Sequence, residues 1–355
     1  RGEGLAGAWL LGLYAAREAH RSDYVFEDLF DPSTGYVFDM RYAGDYSFDR
    51  LAGYGELRRP LGGRWTAVAG LRLDLERVDQ DVGQIYASDT VPFLASLTQA
   101  DIFREDYLEW LPQAGLVYRF DEDRSMSLTV TRVTRSGGLS VPVGNPRAPS
   151  NEYDSEESLT AEWSLRSAWC EGRLHVDADV YYTDWDDRQV RVDTGFLDPR
   201  GEEIFTTRNA ASASLAGGEL LVRYLPAAWP EVQLYGSAGF SRANDESGLT
   251  EKNGALWTWS DFGDAKRFEG LLGLAYAPPS GLVADTDLYL HEARDTEAYD
   301  DYLLWNARVG YRWRGWAVYV YGANLADETY ALRRYRENLV PGEPRVLGAY
   351  VRADW

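Results

Sequence analysis

Hydrophobic and polar residues alternate with period two along most of this chain. In Trp65 to Leu75, the residues Trp65, Ala67, Ala69, Leu71, Leu73 and Leu75 share one face. Thr66, Gly70, Arg72 and Asp74 share the other, with Val68 the exception. Leu174, Val176, Ala178, Val180 and Tyr182 likewise oppose His175, Asp177, Asp179 and Tyr181. The last strand sets Leu347, Ala349, Val351, Ala353 and Trp355 against Val346, Gly348, Tyr350, Arg352 and Asp354. Successive side chains of a strand point to opposite faces, so each segment has one apolar and one polar side. No stretch repeats every three or four residues, and the reading is all-β.

Turn signals divide the chain into hairpins with two kinds of connection in alternation. The short ones are LGGR at 61–64, DEDR at 121–124, CEGR at 170–173, AAWPE at 227–231, PPSG at 278–281 and WRGW at 313–316. The long ones are polar and read as irregular, near 18–46, 80–105, 136–152, 192–212, 244–264, 292–300 and 327–343. Fourteen strands result, near 4–17, 47–60, 64–79, 106–120, 124–135, 153–169, 173–191, 213–226, 231–243, 265–277, 282–291, 301–313, 316–326 and 344–355. Short turns at one end and long loops at the other describe a bacterial outer-membrane barrel, with periplasmic turns and extracellular loops. A membrane strand needs about 9–11 residues, and these segments reach or exceed that. A final strand with every second residue apolar, closed by the aromatic Trp355, agrees. It is also the segment expected to engage the barrel-assembly machinery. The even count predicts both ends of the sheet on the periplasmic side. No domain boundary interrupts residues 1–355.

Composition changes this picture little. Charged residues make up 26% and the mean hydropathy is −0.41. No run of about 18 apolar residues exists, which excludes a transmembrane helix. A barrel escapes that test because only alternate residues meet lipid. Thirteen Trp and 24 Tyr fit two interfacial aromatic girdles. The net charge of −21 argues against a nucleic-acid partner, since phosphate binding needs clustered Lys and Arg. The lone Cys170 excludes an internal disulfide and a cysteine-built zinc site. Acidic blocks at Asp184 to Asp187 and Tyr299 to Tyr302 read as solvated rim charges, with a carboxylate cation site as the alternative. The chain opens RGEGLAGAWL, already in alternation and without a leader. An outer-membrane precursor carries one, so Arg1 is not expected to be the natural N-terminus.

Several motifs carry a resemblance. Asn324-Leu325-Ala326-Asp327-Glu328-Thr329-Tyr330 resembles the Asn-Leu-Phe-Asp-x-x-Tyr signature of TonB-dependent outer-membrane receptors, with Ala326 in place of Phe. Pro341-Gly342-Glu343-Pro344-Arg345 resembles the family's Pro-Gly-x-Pro-Arg approach to the last strand. Leu111 to Tyr118, Trp169 to Arg173, Tyr182 to Trp185, and Asn209-Ala210-Ala211 followed by Gly217 to Leu220 also fit, so the resemblance spans roughly 47–355. It implies a barrel of about 22 strands closed by a plug, importing a ferric siderophore or a similar bulky nutrient with energy passed through TonB. Fourteen strands leave about eight strands and the plug outside this sequence. The expectation is therefore the C-terminal part of such a barrel, touching the TonB complex only through the missing plug. A complete 14-stranded passive channel is the alternative.

Ligand-binding candidates are aromatics and Arg on the long loops and extracellular strand ends: Arg132, Arg135, Tyr153, Trp257, Trp259, Tyr330, Arg333 and Arg334. Trp, Tyr and Arg can stack on rings and pair with anionic groups. The plainer reading of each is a girdle aromatic or a solvated rim charge. No catalytic group, metal site or cofactor is called for. His20, His175 and His291 lack HxxH or HExxH spacing. His175 shares a face with Asp177 and Asp179, which raises hydrolase chemistry, but two residues after a short turn it sits at the periplasmic end. Gly137-Gly138 and Gly217-Gly218 are bends rather than phosphate cradles, since no helix follows. A soluble carbohydrate-binding β protein would require a second sheet over the apolar faces.

Overall fold

A computed structural model describes residues 2–4, 7–31, 36–87, 98–145, 148–198, 201, 203–209, 212–245, 258–259, 267–293, 300–335 and 338–353. The strands are β1 Gly2–Gly4, β2 Gly7–Asp31, β3 Tyr36–Gly62, β4 Trp65–Ala87, β5 Thr98–Arg119, β6 Arg124–Arg135, β7 Gly138–Ser140, β8 Asn151–Tyr153, β9 Glu156–Trp169, β10 Leu174–Asp186 and β11 Gln189–Leu197. They continue as β12 Glu203–Asn209, β13 Ser212–Tyr224, β14 Val232–Asp245, β15 Thr258–Trp259, β16 Arg267–Tyr276, β17 Leu282–Ala293, β18 Tyr302–Trp313, β19 Trp316–Ala323, β20 Ala331–Tyr335, β21 Asn338–Pro341 and β22 Val346–Ala353. No described helix is long and apolar enough to cross a membrane, which says nothing against crossing with strands.

One antiparallel sheet of 15 strands runs β1-β2-β3-β4-β5-β6-β9-β10-β13-β14-β16-β17-β18-β19-β22. Fourteen of these correspond one to one with the strands expected from the sequence. The fifteenth, β1, folds back on β2 through Gly4↔Gly7, a turn the alternation pattern hides. Among the described residues no pairing joins β22 to β1 or β2, so the sheet has two edges.

Rows of cross-strand partners on the outer face of β2–β5 show where lipid ends. Trp9–Leu57–Ala69–Ala114, Leu11–Gly55–Leu71–Pro112, Leu13–Gly53–Leu73–Trp110 and Ala15–Leu51–Leu75–Leu108 are apolar. The next row is Arg17–Asp49–Arg77–Asp106. On β4 the apolar face runs from Trp65 to Leu75, five two-residue steps of about 6.6 Å each. At a tilt of about 40° that is about 25 Å of height, the thickness of a barrel's lipid band. Trp65 against Tyr118, Trp169, and the Trp313↔Trp316 pair gather at the short-turn end as one girdle. The last strand behaves as its alternation requires. Leu347 and Val351 are 71% and 61% exposed on the outside, while Tyr350 accepts a 3.0 Å hydrogen bond from Arg308 on the lumen side.

The long stretches 18–46 and 80–105 were expected as irregular loops, and this is corrected. Within them, residues 18–31, 36–46, 80–87 and 98–105 continue β2–β5 well beyond the lipid band. Alternation persists there with its sign reversed. The outer face carries Arg17–Asp49 (3.5 Å), Arg21–Asp45 (3.6 Å) and Arg104–Asp79 (3.0 Å). The inner face buries Met40, Val78, Val82, Tyr86 and Phe103. Above the membrane water lies outside, so apolar side chains turn inward as in a soluble protein. Hairpins also occupy three other expected loops: β7–β8 in 136–152, reaching Tyr153, β11–β12 in 192–212 and β20–β21 in 327–343. The β11–β12 hairpin begins at Gln189, so the strand expected over 173–191 is split into β10, ending at Asp186, and the start of β11. Of these strands, β11 keeps a two-residue period, with Val190 and Val192 buried and Arg191 exposed between them, while β7 and β8 are three residues each, too short to show one.

Turn chemistry explains the tight end of the sheet. Arg314 and Gly315, between the paired Trp313 and Trp316, both take positive φ (42° and 80°). A two-residue loop matching strand twist requires that geometry.

Candidate functional site

A cavity of about 430 Å³ opens on the lumen face where the polarity of β2–β5 reverses. Its wall carries Glu18 from β2, Arg50 from β3, Glu76 from β4 and Glu109 from β5. Arg135, at the end of β6, and Tyr153, on β8, complete it from the loop side. Below this level the lumen face is polar because the outer face must be apolar. Above it the lumen face is apolar and covered, so charge and aromatic surface meet at this height.

Several wall groups are already held. Arg50 pairs with Glu76, whose other oxygen accepts from the Ser136 hydroxyl. Arg72 pairs with Asp74 at 2.7 Å, while among the described residues the buried Oδ1 of Asp74 has no hydrogen-bond partner. Burial pushes the Tyr153 phenol above its ordinary value, so it stays a neutral donor. The cavity thus offers carboxylates, two guanidiniums and a phenol, suited to hydrogen bonding and ion pairing. No described group of three or more His, Cys, Asp or Glu is arranged to hold a metal ion.

The structure brings two of the eight expected site residues, Arg135 and Tyr153, to this cavity. Arg132 does not line it: its register places it on the outer face, with Leu159 and near Trp110, and its guanidinium is engaged. It donates to both oxygens of Glu157 (2.5 and 2.7 Å) and to the Trp110 carbonyl (2.5 Å), and lies 5.3 Å over the Trp110 ring. That clamps β5, β6 and β9 together where β5 and β6 diverge. Trp257 lies outside the described residues, as does Trp355. Trp259 was expected in a loop away from the strands; its backbone instead forms β15, paired with Arg191 of β11. Arg333 and Arg334 lie on β20.

Tyr330 belongs to a clasp at the ends of β18 and β19. Its ring lies 4.2 Å from that of Tyr302, which stacks on His291 at 4.8 Å. Asn324, in the left-handed region at φ 47° and 3% exposed, accepts from Glu328 N and donates to the carbonyls of Glu328 and Glu343. Asp327 accepts from Arg345 N and pairs with its guanidinium at 3.2 Å. A Cβ on Gly342 would run into the Tyr330 ring, which is why Gly follows Pro341. The sequence signature is thus a set of local hydrogen bonds closing the last loop.

Glu18, Arg50, Glu76 and Glu109 were missed by sequence reasoning. Their signal was available: polar-phase residues at the upper end of each strand, facing the lumen. A second loop layer supports the site. Gln189 Nε2 lies within 3.4 Å of the carbonyls of Arg135, Ser136 and Asp154, and Asn151 Nδ2 donates to Thr207 O at 2.7 Å. These bonds knit the β11–β12 hairpin to the loop bearing Arg135 and Tyr153.

An antiparallel sheet with an apolar outer band, aromatic girdle, charged lumen wall and loop-covered cavity defines an outer-membrane barrel of the receptor type. A family model described as "TonB dependent receptor-like, beta-barrel" matches residues 4–325, and the chain belongs to that family. Its place is the bacterial outer membrane. Solved structures agree in fold. The ferric yersiniabactin uptake receptor FyuA from Yersinia pestis superposes with a TM-score of 0.76 at 16% identity, covering 100% of this chain and 52% of that one. The siderophore receptor PiuA from Acinetobacter baumannii gives 0.70 at 14%, covering 97% and 53%. The ferric-catecholate import receptor Fiu from E. coli K12 gives 0.66 at 12%, covering 98% and 54%. The chain therefore spans about half the length of the solved structures it matches.

Proposed function

We propose that this chain is the C-terminal barrel part of a receptor importing a ferric siderophore or a comparable bulky nutrient. In this reading energy arrives from TonB through a plug encoded with the first strands, and the final strand, ending at Trp355, addresses the barrel-assembly machinery. Outer-membrane lipid covers the apolar band. The observation carrying the proposal is the cavity at the lumen's extracellular end, where Arg135 and Tyr153 stand among charged wall residues. The two sheet edges weigh against a self-closed 14-stranded passive channel, because a bare edge is a pairing surface.

The test uses cells carrying the whole receptor, with ferric yersiniabactin and a ferric tricatecholate, both iron-radiolabelled, as probes. Uptake of one chelate that stops when the proton gradient is collapsed is expected. Arg135→Ala combined with Tyr153→Ala should raise the concentration for half-maximal uptake about tenfold, as for the loss of two polar contacts. Uptake of neither chelate would sink the ferric-siderophore reading. Uptake indifferent to the gradient would favour the passive channel.

A further inference from the structure

Gln84 is a fully buried amide on the inner face of β4, between the buried Val82 and Tyr86. An amide in such surroundings costs stability unless its hydrogen bonds are made. Here they are: Nε2 donates to the Pro142 carbonyl at 2.9 Å, and Oε1 accepts from the Tyr86 hydroxyl at 2.8 Å. A carbonyl can only accept, and burial pushes the Tyr86 phenol upward so that it remains a donor. The amide's orientation is therefore fixed from both ends.

Pro142 belongs to the strap that leaves β6, forms β7 and returns as β8. Gly138 pairs with Tyr153 and Ser140 with Asn151. Gln80, one lumen-facing position below Val82, accepts from Leu139 N at 2.7 Å, and Val143 packs against the Phe38–Met40–Tyr86 cluster. Arg135 immediately precedes this strap and Tyr153 ends it. Arg135 is already held by its pairing with Glu156 of β9, whereas Tyr153 reaches the cavity on the strap, paired with Gly138.

We propose that Gln84 is a positioning residue for the cavity: it fastens the strap, described over 138–145 and 148–153, to the lumen wall, so that Tyr153 stands in place beside Arg135 before a ligand arrives. This rests on the cavity being the ligand site. Binding to a wall already in place avoids the ordering cost of a loose loop. Gln84→Leu keeps the bulk but leaves a buried carbonyl and hydroxyl unpaired, and lifting the strap into water relieves both.

The whole receptor in outer membranes, with the exposed Cys170 changed to Ser, carries spin labels at Glu152→Cys and Asp106→Cys. Without ligand, one narrow distance distribution is expected, broadened several-fold by Gln84→Leu and partly by Tyr86→Phe. A Gln84→Leu distribution as narrow as the parent's overturns the proposal. If Gln84→Leu does not assemble, a narrow Tyr86→Phe distribution does so. Uptake of ferric yersiniabactin or the ferric tricatecholate gives the second reading. Gln84→Leu should raise the apparent KM about tenfold with maximal rate within about twofold. It should add less than about twofold once Arg135 and Tyr153 are both Ala, because coupled residues are non-additive. A broadened strap with unchanged KM also overturns the positioning role. Failure to carry either chelate counts against the functional reading alone, since the distance measurement needs no ligand.

Discussion

Asp23 and Arg41 show what a single pair contributes above the membrane. Arg41 donates to both Asp23 oxygens, at 3.0 and 2.8 Å, across the β2–β3 hairpin. These hydrogen bonds hold the Asp23 carboxyl below its ordinary value. A depressed carboxylate contributes stability that is complete above its unfolded pKa, about 3.9, and lost as pH falls through the folded value. Amide exchange near the hairpin tip, corrected for intrinsic rate, should therefore be level from pH 7 to 5 and quicken below about pH 4. Asp23→Asn should abolish that acid step; its persistence would mean another group is responsible. Residue identity was legible in the sequence more readily than residue role. Asn324, Asp327 and Tyr330 were visible as a signature, and Tyr330 was expected at the ligand. Its contact with Tyr302 depends on β18 and β19 lying side by side, which a motif does not encode.

At the scale of the strand, β4 contains two environments in one element. Its outer face is apolar from Trp65 to Leu75 and carries Arg77, Asp79 and Asp81 beyond. Leu71→Arg, near the middle of the lipid band, should cost about 2–4 kcal/mol of barrel stability, and Asp81→Arg about 0–1 kcal/mol. Denaturant midpoints of the whole receptor refolded into bilayers would compare them, and equal costs would place the band elsewhere. Strand identity was legible because lipid-facing alternation leaves a period of two. Strand length was not. Phe26, Met40, Val78, Val82 and Tyr86 keep that period above the membrane, but their charged partners give the segments a polar average. The cavity was legible only in part. Arg135 and Tyr153 stand out near loop ends, whereas Gln84 matters through Pro142, 58 residues away.

For the whole molecule, the two edges of the sheet set the outcome for residues 1–355 expressed alone. They should not give a compact monomer resistant to heat in detergent, because unpaired strands at β1–β2 and β22 recruit other chains. Gel mobility before and after heating, with particle size in detergent, decides this. A cooperative monomeric pore would restore the passive channel. The reversal of polarity along β2–β5 has a further consequence for the molecule in place. One row of partners is about 6.6 Å along a strand. A molecule sunk by one row would carry Arg17, Asp49, Arg77 and Asp106 into hydrocarbon, and one raised by a row would lift Leu51, Leu75 and Leu108 into water. Both displacements are penalised, so these four strands act as a depth gauge. They fix the level at which the cavity meets the cell's surroundings.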